Sequence, residues 1–131
     1  MNNTVAHTKL CNEILDACGA LPGVVIGVNP CGKARHMTRD GKTFVVPYGW
    51  PMPGAPDILA VVAPLGRLVG LEVKTGAGVA SPEQRQVHDA LRAVGAQVLV
   101  VRSVDEARAA LLAVGREGWG GGVSHGWPSY S

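Results

Sequence analysis

Two acids and a lysine occupy positions from which they could form a metal site. Asp57 precedes one short apolar run, and Glu72 and Lys74 lie at the end of the next, with Glu72 fifteen positions after Asp57. Side chains alternate along a strand, so Glu72 and Lys74 point the same way. Two carboxylates brought together bind a hard divalent cation such as Mg²⁺ or Mn²⁺. Such a cation polarises a phosphate and acidifies a bound water, which is the chemistry of phosphodiester hydrolysis.

Each residue of this pattern has an expected role. Asp57 and Glu72 are the metal ligands, and the backbone carbonyl of Val73 is a further one. Lys74 positions the attacking water or offsets the charge that develops on phosphate. Glu-x-Lys alone is often only a surface ion pair, and Pro-Asp is a common turn dipeptide. Residues 68–71 are too apolar for an exposed edge, however, so an acid that follows them needs a cation nearby.

The two apolar runs are predicted to be neighbouring strands. Residues 58–62 form a continuous apolar run, typical of a strand covered on both faces. Residues 67–74 form the next strand, and the short connection between the runs predicts antiparallel pairing. In the simplest register, Asp57 then lies beside the end of the second strand that carries Glu72 and Lys74.

The rest of the sequence predicts the elements around this pair. Residues 31–43 are polar and basic and predict a loop or an irregular hairpin. The other predicted elements are a helix over 4–18, strands over 24–28, 43–46 and 97–101, a loop over 48–56, and helices over 82–94 and 104–114, capped by Ser81 and Ser103. This order predicts an α/β fold with a mixed central sheet and helices on both faces. We expect one domain over residues 1–114 and a Gly/Ser-rich tail over 115–131 that is poorly ordered.

Composition narrows the class of protein. The chain has 131 residues, enough for one domain, and its net charge is only +2, so attraction to nucleic acid must come from local clustering. The three cysteines are an odd number, and we find no targeting segment and no apolar stretch near the roughly 18 residues of a membrane span. We therefore expect reduced thiols, no membrane, and the cytoplasm of a bacterium or a phage-infected host.

Three short motifs together resemble a known family. They are Gly54-Ala55-Pro56-Asp57-Ile58, Leu71-Glu72-Val73-Lys74, and Ser81-Pro82-Glu83-Gln84 before a helix. In this order and spacing the chain resembles, over about residues 7–112, the virus-type replication-repair nuclease (VRR-NUC) domain of the PD-(D/E)xK superfamily. The resemblance implies a restriction-endonuclease-like core and a nuclease that depends on Mg²⁺ or Mn²⁺.

The resemblance also implies a set of roles and partners. Asp57 and Glu72 would be metal ligands, Lys74 the catalytic lysine and Gln84 a further active-site group. The partner would be DNA, and the resemblance implies a homodimer with a role in replication, repair, recombination or packaging. Its setting would be the cytoplasm of a bacterium or of a phage-infected host. We interpret the chain as a metal-dependent DNA endonuclease, with selectivity for junctions or branched DNA left open. The alternative is an inactive module of the same fold that binds DNA or a replication partner.

Two positions leave alternatives open. As the third helical residue, Gln84 could complete the helix cap with Ser81, or it could point at the metal site. The family usually has a glutamate near the start of the first helix as a further metal contact. That place falls near His7 here, which suits Mn²⁺ better than Mg²⁺, and Glu13 is the alternative acid. Both could also be ordinary helix residues.

A basic segment precedes the acidic motif. It contains Lys33, Arg35, His36, Arg39 and Lys42, and it could hold a nucleic-acid backbone or be a solvated loop. The cysteines lack zinc spacing. The glycines before Ser81 lack the third glycine of a dinucleotide site, so we expect no organic cofactor.

Overall fold

The computed structural model describes residues 3–50 and 53–119. Within these ranges the chain forms three helices and six strands. In chain order they are α1 (Asn3–Cys18), β1 (Val24–Val28), β2 (Gly32–Met37), β3 (Thr43–Tyr48), β4 (Ile58–Val62), β5 (Arg67–Val73), α2 (Pro82–Ala93), β6 (Gln97–Val101) and α3 (Val104–Trp119). None of the helices in the described ranges combines the length and the apolar character that a membrane span requires.

Four of the strands form a mixed sheet in the order β1-β4-β5-β6. The β1–β4 and β4–β5 pairs are antiparallel, as the short β4–β5 connection predicted, and Ile58 lies opposite Leu71. The β5–β6 pair is parallel, because α2 returns the chain to the same end of the sheet. The register places Asp57 beside the Glu72 end of β5, as predicted.

Helices cover both faces of this sheet. Helices α1 and α3 pack on one face, where Ile14 and Leu111 join Ile58 and Leu71 in the main core. Helix α2 covers the β5–β6 half of the other face with a smaller apolar cluster that includes Val87, Leu91 and Val98. The predicted α/β architecture, a mixed sheet between helices, is confirmed.

Strands β2 and β3 form a separate two-stranded antiparallel sheet. The pairing runs from Gly32 opposite Tyr48 to Met37 opposite Thr43, and the backbone of Thr38 bonds to Lys42 across the turn. The segment predicted as a loop or an irregular hairpin is therefore a regular hairpin. Ala34 alternates with Lys33 and Arg35, but His36 breaks the alternation, so the residue pattern indicates a strand only weakly.

The last helix is longer than predicted. Helix α3 continues past Val114 and through Gly115 to Trp119. An ion pair between Arg67 Nη1 and Glu117 Oε2, at 2.9 Å, ties the added turn to β5. Tertiary contact thus outweighs the poor helix propensity of glycine. The rest of the predicted tail, residues 120–131, lies outside the described residues.

Candidate active site

The backbone around Asp57 is fixed from two sides. The Asn29 amide N–H donates to the Asp57 carbonyl at 2.8 Å, and the Asn29 side chain donates to the Pro56 carbonyl at 3.0 Å. The Pro56 ring lies against Gly70 of β5, where an added Cβ would be 2.6 Å from the proline Cγ. Only a residue without a side chain allows this approach. These contacts determine where the Asp57 carboxylate points.

The loop before Asp57 also crosses the start of α2. Gly54 has a positive φ of 94°, and a Cβ there would lie 2.6 Å from the Glu83 carbonyl oxygen. Glycine is required at this crossing by both its backbone conformation and the lack of space. The motif glycine therefore places the Asp57 loop directly on the first turn of α2, next to Gln84.

The Asp57 carboxylate is oriented by two donors. Its Oδ2 accepts a hydrogen bond from the Val73 backbone N–H at 2.9 Å and lies 3.2 Å from His7 Nε2. Asp57 is thereby bound to the end of β5 and to α1. The structure brings His7 to the site as one of the two predicted helix-one candidates. Glu13 is exposed on another side of α1 and does not line the site cavity.

Glu72 is the buried member of the acid pair. It is 2% exposed, and its Oε2 accepts from Gln84 Nε2 at 3.1 Å and lies 3.7 Å from Lys74 Nζ. Burial raises the pKa of Glu72 to about 8, with the neighbouring Asp57 adding to the shift and Lys74 opposing it. The proton of Glu72 is therefore sensitive to the charges of the residues that share its cavity.

Gln84 both caps α2 and points at the residues predicted for the metal site. Its backbone N–H donates to Ser81 Oγ at 3.1 Å and its Oε1 accepts from the Ser81 backbone N–H at 2.8 Å, which completes a capping box. The same Oε1 accepts from Lys74 Nζ at 2.8 Å. The start of α2 thus holds both Lys74 and Glu72 in place.

His88 is a buried neighbour that the sequence analysis did not assign to the site. It lies one turn after Gln84, is 2% exposed, and its Nε2 is 3.5 Å from Glu72 Oε1. Neither of these two atoms has a hydrogen-bond partner within the described residues. Burial, with Arg92 adding, lowers the pKa of His88, so its imidazole is neutral at neutral pH. In the sequence, the four-residue spacing between Gln84 and His88 was the feature that places both side chains on one face of the helix.

These side chains line one open cavity of about 380 Å³. Its lining includes His7, Asp57, Glu72, Val73, Lys74 and Gln84, which comprises every residue predicted for catalysis or for the metal except Glu13. The donors are carboxylate oxygens with a backbone segment beside them, which suits Mg²⁺ or Mn²⁺. The neighbouring Cys11 adds no thiolate, because burial, with Asp57 and Glu72 adding, raises its pKa to about 11.

The fit to a cation has one limit. Among the described residues, no group of three or more His, Cys, Asp or Glu side chains is arranged to hold a metal ion. Two carboxylates therefore leave several coordination positions to the backbone, to water and to substrate. Mg²⁺ is commonly bound in this way, through one or two carboxylates together with substrate phosphates.

The predicted basic residues do not line this cavity. Lys33 and Arg35 are exposed on β2, and Arg39 and Lys42 are exposed in the turn of the β2–β3 hairpin. The hairpin begins and ends near Asp57, because Asn29 and the loop before Pro56 connect it to the sheet.

Comparison with known proteins agrees with this architecture. A solved structure described as a VRR_NUC domain is similar to this chain, with a TM-score of 0.51 and 23% identity over 79% of this chain and 90% of that one. No protein-family model and no curated protein matches the chain. The likeness establishes the fold: the chain has a nuclease fold of the VRR-NUC type, as its sequence motifs predicted.

Proposed function

We propose that this protein is a DNA endonuclease that hydrolyses phosphodiester bonds with Mg²⁺ or Mn²⁺. One observation supports this most directly: Asp57, the buried Glu72 and Lys74 line one cavity, and Lys74 Nζ lies 3.7 Å from Glu72 Oε2. Two acids forced together in a partly dry site are stabilised by a cation that neutralises both. The nuclease fold supports the same conclusion.

Each side chain has a role in this proposal. A bound divalent cation supplies Lewis-acid polarisation of the phosphate and a more acidic water. Asp57 and Glu72 would hold the cation, with the Val73 carbonyl. His7 Nε2 contacts Asp57 Oδ2 at 3.2 Å and would have to exchange this contact to become a further ligand, one that suits Mn²⁺ better than Mg²⁺. Lys74, held by Gln84, donates to a phosphate oxygen or to the attacking water.

The direct test is cleavage of DNA by the purified protein. We expect cutting with Mg²⁺ or Mn²⁺ and none after EDTA. Asp57→Ala, Glu72→Ala and Lys74→Ala should each lower the rate by about a thousand-fold or more, because each removes a charge that acts on the transition state. Glu13→Ala is the matched control, since it removes an exposed acid outside the cavity. Wild-type rates in all three site variants would disprove the proposal.

The proposal also includes the structure of the DNA that is cut. We propose junctions or other branched DNA as the preferred substrate, with a role in replication, repair or recombination in a bacterium or phage and a cytoplasmic location. The unpaired Cys11 and Cys18 in the core are consistent with a reducing compartment. Rates on junction, flap, duplex and single-stranded DNA of matched sequence test the preference. Equal rates on all four would contradict it.

A second candidate function is a module of the same fold that binds DNA without cutting it. The limited set of acidic ligands among the described residues favours this alternative. It predicts DNA binding with no cleavage at any concentration of Mg²⁺ or Mn²⁺. It also predicts that Asp57→Ala leaves the affinity for DNA unchanged or higher, because the variant removes a negative charge.

We further propose that the protein is a homodimer. On the sheet face that carries α2, β1 and β4 expose Val25 and Val61, with 76% and 44% of their surfaces accessible. An apolar sheet face of this kind is typical of an interface between subunits. Sedimentation should give a dimer mass for the wild type and a monomer mass for Val25→Lys. A wild-type monomer at tens of micromolar would contradict the proposal.

A further inference from the structure

The β2–β3 hairpin, residues 32–48, projects from the domain as an arm. Its strands pair with each other and pack little against the other elements. Large apolar side chains are exposed on it, among them Met37 at 70% and Val45 at 53%. A two-stranded hairpin is only marginally stable alone, so an exposed one is a surface suited to a partner.

The charge on the arm indicates the chemistry of that partner. The arm, residues 32–48, contains four Lys or Arg and one acid, Asp40, so its net charge is +3, whereas the rest of the chain has a net charge of −1. The arm therefore accounts for all of the net positive charge. The cavity with Asp57 and Glu72 contains one lysine, Lys74, which is held by Glu72 and Gln84, so it offers little attraction to a polyanion. A polyanion that approaches this cavity must be attracted from elsewhere, and the arm supplies that attraction.

Position links the arm to the same cavity. Asn29, three residues before the arm begins, donates hydrogen bonds to the backbone carbonyls of Pro56 and Asp57. A groove of about 330 Å³ lies between the base of the arm and the site, lined by residues that include Cys31, Asn29, His7 and Asp57. A polymer bound along the arm is thereby directed to the acids.

We infer that this arm binds the phosphate backbone of DNA on one side of the bond to be cut. Lys33 and Arg35 share one face of β2, and Arg39 and Lys42 lie in the turn. Six residues of strand span about 20 Å. At about 3.4 Å per base pair, the turn reaches phosphates up to about six base pairs from the cut. The inference rests on the proposed function in taking DNA as the ligand.

Binding measured without cutting tests the arm separately from catalysis. Fluorescence anisotropy of a labelled four-way junction and a 30-base-pair duplex in EDTA gives the affinity over a series of salt concentrations. For Lys33→Ala/Arg35→Ala we expect affinity about ten-fold lower, and a slope of log affinity against log salt that is shallower by about two, one for each lost phosphate contact. The matched control is Lys9→Ala/Arg116→Ala, which removes one exposed Lys and one exposed Arg outside the arm.

A second variant keeps the test independent of these two residues. Because Gly32 and Tyr48 are paired, their Cα atoms lie about 5 Å apart, and a two-glycine link can replace residues 33–47. The wild type should protect the DNA backbone from hydroxyl radicals up to about six base pairs from the cut, and we expect this variant to lose that protection. Thermal unfolding shows whether the shortened variant folds. If it does not fold, the affinity of Lys33→Ala/Arg35→Ala decides whether the arm binds DNA.

The outcomes separate the inference from the proposed function. If the wild type cuts DNA and the arm variants bind with wild-type affinity, the inference fails and the proposed function stands. If the wild type does not cut but the arm variants lose affinity for DNA, the inference stands and the proposed function fails. No binding by the wild type, or a change in oligomeric state with unchanged affinity, overturns the inference.

Discussion

Gln84 donates a hydrogen bond to Glu72, from Nε2 to Oε2 over 3.1 Å, while its own Oε1 accepts from Lys74. One amide thus holds Glu72 and Lys74 at a fixed separation. The same oxygen accepts from the Ser81 N–H at the helix cap. The cap of α2 and the geometry of the candidate site therefore depend on one side chain.

Replacement of Gln84 should affect the rate much more than the stability. We expect Gln84→Ala to lower the single-turnover cutting rate about a hundred-fold, because Lys74 and Glu72 lose their common partner and move. Ser81→Ala is the control: it removes the cap acceptor and should cost about 1 kcal/mol of the free energy of unfolding, with little loss of rate. Equal rates in the two variants would show that Gln84 acts only as a cap residue.

His88 should control the affinity for the metal. A neutral imidazole with Nε2 3.5 Å from Glu72 Oε1 can donate one hydrogen bond to that oxygen. We expect His88→Ala to weaken Mn²⁺ binding about ten-fold to a hundred-fold, as is typical for partners of metal ligands. His88→Gln retains an N–H donor and should recover part of the affinity. Electron paramagnetic resonance of free Mn²⁺ measures this without any activity assay, and equal affinities in all three proteins would refute it.

Stability of the metal-free protein should decrease as pH rises. Burial and Asp57 raise the pKa of Glu72 from 4.5 to about 8, so the folded state retains a proton that the unfolded state has lost. The free energy of unfolding should therefore decrease between pH 4.5 and pH 8. Urea denaturation in EDTA at several pH values measures the slope. Glu72→Gln should remove most of it, and an unchanged slope in that variant would assign the effect to other groups.

Gly70 should be intolerant of any side chain. In Gly70→Ala the new methyl carbon would lie 2.6 Å from Pro56 Cγ, so either Pro56 or β5 must move. We expect about 1–3 kcal/mol of destabilisation and, since Asp57 follows Pro56, a large loss of cutting rate. Gly27→Ala is the control in the same sheet, because an added Cβ there meets nothing within 4 Å. Denaturation and cutting rates of the two variants provide the comparison, and similar behaviour would contradict this explanation.

The elements around the acid pair were predictable because their signals are local. The apolar run of β4 and the short connection to β5 specify an antiparallel pair. That pair alone places Asp57 beside Glu72. The Ser81-Pro82 start of α2 is equally local, and its cap forms as expected.

Other parts of the site depend on contacts that no local pattern contains. His88 lies near Glu72 because α2 packs on β6, and a histidine on a helix gives no sign of its burial partner. Whether His7 or Glu13 faces the site depends on the rotation of α1 against the sheet. The pairing of β2 with β3 was ambiguous because polar strands specify register weakly.

The crossing of Gly54 over the Glu83 carbonyl leaves no room for a methyl group between two segments of backbone. One of these segments returns from the basic arm to Asp57, and the other begins the helix that carries Gln84. At this point the two segments cannot slide past each other independently. A shift of Gly54 therefore moves the first turn of α2 with it, so the position of the loop that carries Asp57 and the position of Gln84 are mechanically coupled.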